Sequence, residues 1–265
     1  MFFNYFQSMD VFLLIIVSFG ASWLTFFCGF GLGTMLTPVF IILFKDVPLA
    51  IAATAIVHFL NNVFKFILMK RSVNWQVAIP FGLAAIPAAA IGAFLATEID
   101  NQIIYEYVLF GRNMQVDLLS FVFGSVLIAF ALVELIPAWS IAFSKKSLWL
   151  GGFISGFFGG LSGHQGALRT AFLIKYNLKK EAFIATGIMV ALVVDVVRTT
   201  VYATNYDSAQ LSDNWKLILC SLIAALIGAV TGKLLLKKIK LDLLNLVVGI
   251  AMLVFGVILA LGILN

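Results

Sequence analysis

The sequence predicts an all-α polytopic membrane protein built from two inverted repeats, each a glycine-broken apolar segment followed by three transmembrane helices. Three observations carry that prediction. Of 265 residues, 63% are hydrophobic and 11% charged, whereas soluble domains lie near 45–50% apolar and about 25% charged. Uncharged runs of about 20 residues, the length that spans a hydrocarbon core, recur along the whole chain and leave no soluble domain over. The chain also matches itself. Gly31, Leu36, Phe40, Ile42, Ala50, Ala53, Thr54 and Ile56 align without a gap to Gly163, Leu168, Phe172, Ile174, Ala182, Ala185, Thr186 and Ile188. Trp75, Ala84, Ala85, Ala89, Gly92 and Leu95 match Trp215, Ala224, Ala225, Ala229, Gly232 and Leu235, and Asp117, Leu118, Leu119, Val122, Gly124 and Phe130 match Asp242, Leu243, Leu244, Val247, Gly249 and Phe255. One block could be chance among alanines and leucines; three in the same order are not.

Taken in order, the elements are a broken segment over 11–45, then helices over 48–69, 76–97 and 117–137. The second half repeats them as a broken segment over 147–176 and helices over 181–203, 215–235 and 242–264. The first run, Val11 to Cys28, follows an N-terminus without Lys or Arg and precedes Gly-rich sequence rather than a cleavage site, so it reads as a retained helix. Residues 1–144 form the first repeat and 145–265 the second, within one membrane domain. After the glycines, 34–44 and 166–176 are too short to span unaided, so each is either a half-helix or the return limb of a hairpin.

Lys and Arg decide how the halves are oriented. If each broken segment returns the chain to its side of entry, or crosses twice, twelve of the seventeen basic residues share one side: Lys65, Lys70, Arg71, Lys145, Lys146, Lys175, Lys179, Lys180, Lys233, Lys237, Lys238 and Lys240. Lys45, Arg112 and Lys216 fall on the other. A single crossing gives roughly nine against six. The positive-inside rule selects the first arrangement, with the halves inverted, both termini outside, and the protein multi-pass in the cytoplasmic (inner) membrane. Scattered basic residues at the ends of apolar runs account for the net charge of +5, so no nucleic acid partner is expected; lipid surrounds the chain. Cys28 and Cys220 both lie in apolar runs and suggest no disulfide framework.

Inverted repeats with discontinuous helices are the architecture of secondary transporters, which bind substrate near the midplane where the breaks meet. Unwound backbone at that depth must line a cavity or be buried in protein. Here the half-helices begin at Gly33 and Thr34 and at Gly166, and their free N–H groups and positive dipole ends suit an anion. The second break adds Ser162, His164, Gln165 and Arg169. Arg169 is expected to be the main anion contact, since its planar fork fits carboxylate, sulfonate or sulfate oxygens; the alternative is an Arg tied to a helix-end carbonyl or snorkelling outward. His164 and Gln165 serve either as ligand contacts or as ties for the broken backbone. Thr54 and Thr186, at matched positions, either face the cavity or glue helices together. His58, Asn61, Asn62 and Lys65 form a polar stripe. His58, with Asn61 beside it, is a candidate for the cavity wall or for a proton, against a packed histidine. Lys65 is expected only to snorkel, and Glu134 to be interfacial. Asp195 and Arg198, at i and i+3, can pair. Asp195 is the candidate for proton coupling, since an intramembrane carboxylate is a functional hypothesis by default; a static Asp–Arg lock is the competing reading.

At these residues the sequence resembles the TauE/SafE family of sulfite and organosulfonate exporters, built as tandem repeats of a four-helix unit. The resemblance covers nearly the whole chain and rests on GFGLGTMLTP (29–38) with AIAATA (50–55), and on SGFFGGLSGHQGALR (155–169) with AFIATG (182–187). The first break keeps Gly29, Gly31, Gly33 and Pro38 as the family has them. The second carries His164 and Gln165 between glycines and Thr170 where proline would fall, which changes the side chains at the expected site. The resemblance implies export of sulfite or an organosulfonate by alternating access. An intramembrane enzyme is disfavoured by two His, few membrane carboxylates and no HExxH motif, so no catalytic residue, metal or cofactor is expected. A channel or structural protein is the third class. Channels are commonly symmetric oligomers around a pore, whereas this chain carries its own internal symmetry.

Overall fold

The structure, a computed structural model, describes residues 2–28, 32–99, 102–109, 111–136, 148–163, 165–205, 208–235 and 241–263. The first broken segment resolves into α1 (Phe2–Cys28) and α2 (Leu32–Phe44), followed by α3 (Val47–Met69), α4 (Trp75–Glu98) and α5 (Leu118–Leu135). The second gives α6 (Leu148–Ser162) and α7 (Gly166–Leu173), then α8 (Lys180–Asn205), the short α9 (Ser208–Asp213), α10 (Trp215–Leu235) and α11 (Leu241–Ala260). Five of the described helices are long and apolar enough to cross a membrane, and several shorter ones are equally apolar. The protein is a multi-pass helical membrane protein.

Local chemistry sets the helix starts. Asp46 caps α3 by accepting from Leu49 N at 2.8 Å, with proline in the first turn. Asn74 caps α4 through Val77 N at 3.2 Å, and Asp117 caps α5 through Ser120 N at 2.7 Å. Each satisfies an amide that the helix itself leaves open. One element departs from the all-helical expectation. An antiparallel hairpin, β1 (Ile103–Leu109) and β2 (Arg112–Asp117), joins α4 to α5 and is pinned to the far end of α11 by Tyr107 Oη, which donates to Leu261 O at 2.7 Å.

The short limbs fold back. Ser155 Oγ donates to Gln165 O at 3.3 Å, Gly159 lies under the Gln165 side chain, and Gly151 faces the Phe172 ring, so α7 runs back along α6. Eight residues of α7 cover about 12 Å at 1.5 Å per residue, well short of a ~30 Å hydrocarbon core. α2 likewise packs on α1. Of the two expectations for these limbs, the α7 contacts match the return limb of a hairpin.

Exchange of the halves preserves the packing pattern. α1 lies on α10 as α6 lies on α4, while α3 packs on α8 and α5 on α11. Gly92 of α4 accommodates the backbone at Phe157, and Gly232 of α10, its sequence match, accommodates Phe26. The bundle therefore has two ends. Asp10, Leu43, Asp213 and Lys216 line one cavity at the first, and the helices' lengths bring the hairpin and the end of α11 there too. At the second, Lys233 Nζ donates to Leu68 O at 3.1 Å and Asn74 N to Thr186 Oγ1 at 3.0 Å.

Candidate functional site

Gly163 ends α6 with φ of 78°, the left-handed region in which glycine is at ease. Gln165 then starts α7 without a side-chain cap, so the first amides of α7 point into the gap with the positive end of the helix dipole behind them. The opposing carbonyls of α6 are met by α8: Tyr202 Oη lies 3.0 Å from Gly160 O and 3.2 Å from Leu161 O. Gln165 is buried, and neither its Oε1 nor its Nε2 meets a partner among the described residues.

Around this gap the structure gathers charge. Asp195, 0% exposed in the middle of α8, accepts from His58 Nδ1 at 2.7 Å, from Asn62 Nδ2 at 2.7 Å and from Arg198 Nη2 at 3.1 Å. A carboxylate so deep is tolerable only with such partners. The Arg198 guanidinium occupies the space that a side chain on Gly163 would need, which gives the glycine a second reason to be glycine. The Arg198 Cζ lies over the Tyr202 ring, 6.0 Å from its centroid. Arg169, 2% exposed, lies over Gly187 of α8 and interacts electrostatically with Asp195. Gly33, at the start of α2, borders the same space from the other half: a Cβ there would sit 3.9 Å from Thr54 Cγ2 and 4.0 Å from His58 Cδ2. Thr37 Oγ1 is 2.7 Å from Gly33 O, to which it donates, and 3.2 Å from Thr54 Oγ1.

Of the residues singled out in the sequence, Gly33, Thr54, His58, Gln165, Gly166, Arg169 and Asp195 are thus placed around the two half-helix starts. His164 and the side chain of Thr34 lie outside the described residues, as does the side chain of Glu134. Thr186 is placed elsewhere: its hydroxyl accepts from Asn74 N at the bundle end, tying α8 to the cap of α4. Asn61 turns toward α1, where its Oδ1 accepts from Ser22 Oγ at 3.1 Å.

Lys65 requires a correction. Snorkelling needs an outlet to water, yet Lys65 is 2% exposed. Its Nζ donates to Thr25 Oγ1 at 2.7 Å and to Ser22 O at 3.2 Å, with the Phe26 ring centroid at 5.9 Å. The oxygens of α1 hold the ammonium inside, within electrostatic reach of Arg169 and Asp195. Asn62, Arg198 and Tyr202 also belong to the assembly beyond the residues first assigned to it. Asn62 and Arg198 were legible as neighbours of His58 and Asp195 in sequence, whereas nothing in the sequence aligns Tyr202 with the carbonyls ending α6.

Paired broken segments, a buried cationic cluster where they meet, and enough apolar helices to cross a bilayer repeatedly define a polytopic membrane protein of the transporter class. The chain belongs to the sulfite exporter TauE/SafE family, whose model matches residues 14–259. No curated protein and no solved structure matches it.

Proposed function

We propose that the protein is a secondary transporter that exports a small oxyanion, sulfite or an organosulfonate, by alternating access between inverted repeats. The observation that carries the reading is the concentration of Arg169, Arg198, Lys65 and His58, all buried, beside the uncapped start of α7 and the start of α2. Cations at membrane depth are expensive and mark ion pathways, and helix N-termini add further donors for an anion. Membership of a sulfite exporter family supports a sulfur oxyanion as the substrate.

Inversion is supported by direction. α3 runs from the bundle end at Leu43 to the end at Lys233, whereas its match α8 starts beside Asn74 at the second end and finishes near Asp213 at the first. The same ends separate Lys45, Arg112 and Lys216 from Lys70, Arg71, Lys175, Lys179, Lys180 and Lys233, which supports placing the second end in the cytoplasm. Residues 1–144 and 145–265 are then the two repeats that rock against each other, with α3 and α8 in contact between them. Arg169, with the α7 amides from Gly166, contacts the anion; Gln165 and Thr54 line its path, and Asp195 is the carboxylate available to a coupling proton.

The test is flux in liposomes, using sulfite, organosulfonates and short carboxylates. Arg169→Lys keeps the charge but loses the bidentate fork, worth about 1.5–3 kcal/mol for a charge-assisted hydrogen bond, so flux is expected to fall at least tenfold. Undiminished flux moves the site elsewhere, and no anion flux in the unaltered protein ends the reading.

A further inference from the structure

Three hydrogen-bond donors from two halves of the chain converge on one carboxylate in the membrane interior. His58 Nδ1 and Asn62 Nδ2 come from α3 and Arg198 Nη2 from α8, at 2.7, 2.7 and 3.1 Å from Asp195 oxygens. A ring nitrogen, an amide and a guanidinium arranged around two oxygens are the donor set that would hold a carboxylate or sulfonate ligand. In this structure the protein's own side chain fills it. The filled set lies beside the gap between α6 and α7, because Arg198 also presses on Gly163. The Gln165 amide, buried at the start of α7 with both polar atoms lacking partners among the described residues, borders the same gap.

Resting on the anion-transport reading above, we infer that the Asp195 carboxylate is an internal stand-in for the transported anion, and that His58, Asn62 and Arg198 pass to the substrate when Asp195 takes up a proton. The exchange balances in charge. One proton binds a carboxylate oxygen of Asp195, the neutral acid no longer competes for three donors, and one monoanion enters, so the buried charge is unchanged. The desolvation cost of an extra buried anion is thereby avoided. Proton and anion must occupy the site together, which makes the transported unit the anion with its proton.

The groups facing Asp195 fit this exchange. From α3 come His58 and Lys65, from α7 Arg169, and from α8 itself Arg198, with Lys65 and Arg169 both interacting electrostatically with the carboxylate. α4 and α6, which also pack on α8, carry no titratable residue between Trp75 and Thr97 or between Leu148 and Ser162. His164 lies outside the described residues. Three cations held near one acid keep the pocket attractive to an anion after Asp195 is neutralised.

The probe is methanesulfonate, whose charge stays constant between about pH 5 and pH 8, where histidine and perturbed carboxyl groups change theirs. Binding to the full-length protein in detergent is expected to tighten as pH falls and to withdraw close to one proton per anion from a weakly buffered solution. Asp195→Asn keeps the shape and removes the negative charge, so it is expected to bind methanesulfonate at least about tenfold more tightly at pH 8 than the unaltered protein and to bind it without the accompanying proton uptake. A static lock predicts the reverse, weaker or unchanged binding in a less stable protein. If the variant does not fold, proton uptake by the unaltered protein decides: anion binding without proton uptake overturns the inference while leaving anion transport standing. Absence of any anion binding or flux overturns both.

Discussion

Two matched seams, each joining one half of the protein to the other, are built with different chemistry. α6 meets α4 through Gly152, Gly156 and Gly160, which take the backbone of Phe81, Ala85 and Ala89, and among the described residues no side-chain hydrogen bond crosses between those helices. α1 also meets α10 across glycines, Gly228 and Gly232 taking the backbone at Phe19 and Trp23, but it adds polar side chains: Ser18 with Ser221 of α10 at 2.8 Å, and Ser22 with Asn61 and Thr25 with Lys65 of α3. Lipid supplies no hydrophobic drive for helices to associate, so membrane interfaces rely on close packing or on hydrogen bonds. Here the α4–α6 seam relies on close packing, and the α1 seam on close packing and hydrogen bonds together. The consequence is an α4–α6 seam governed by shape alone and an α1 seam in which a small polar network with a buried charge is added to the glycine contacts.

Matched glycines break this comparison most sharply. Extended backward without a gap, the alignment of Gly31 with Gly163 sets Gly20 against Gly152. A Cβ on Gly152 would run into Phe81 O and come within 2.9 Å of Ala84 Cβ, whereas Gly20 has nothing within 4 Å. Gly152→Ala is therefore expected to destabilise the protein by about 1–3 kcal/mol, the usual range for overpacking. Gly20→Ala should be neutral or stabilising by up to about 1 kcal/mol, because alanine is the better helix former. Thermal unfolding in detergent, read by monodisperse elution, measures both. Equal effects would remove the distinction between the seams.

Much of this architecture is legible in the sequence because hydrophobic runs have polar ends. The helices over 48–69, 76–97 and 215–235 are each found within a residue of those bounds, and Asp46 and Asn74 mark two of the starts as capping residues. The hairpin at 103–117 was hidden by the expectation of helices alone, although Ile103, Ile104, Tyr105, Tyr107 and Val108 before Gly111 carry strand-forming character. At the site, Arg169, His58 and Asp195 stand out as polar residues in apolar runs. Their partnership does not, because His58 and Asp195 are 137 positions apart and only helix packing brings them together. Lys65 shows the opposite difficulty. Its place near a helix end suggests an outward turn, and the decisive oxygens, Ser22 O and Thr25 Oγ1, belong to another helix.

Lys65 sharpens the comparison by separating structure from function within the polar seam. Lys65→Met exchanges the ammonium for an apolar chain of similar length. Replacing a buried charge in this way is often neutral or stabilising, and Thr25 Oγ1 retains an acceptor in Ser22 O at 2.9 Å. Stability is expected to stay within about 1 kcal/mol. Flux should still fall about tenfold, because the charge reaches Arg169 and Asp195 through a medium that screens poorly. A large loss of stability with unchanged turnover of the surviving protein would make Lys65 a structural tie alone.

The smallest effect is expected where the polar seam meets α10. Ser221→Ala removes the 2.8 Å contact with Ser18, but Ser18 Oγ keeps Leu14 O at 2.6 Å as acceptor for its proton, so no donor is stranded. Interhelical hydrogen bonds in membranes average about 0.6 kcal/mol, and the shift in unfolding should be of that order or less. By the match of Trp75 with Trp215, the counterpart of Ser221 in the apolar seam is Phe81, a fully buried ring set edge-on to Phe172 at 6.4 Å. Phe81→Ala should cost about 3–5 kcal/mol. If Ser221→Ala approached that figure, the α1 seam would depend on its hydrogen bonds as strongly as the α4–α6 seam depends on its fit, and the two seams would differ in chemistry without differing in strength.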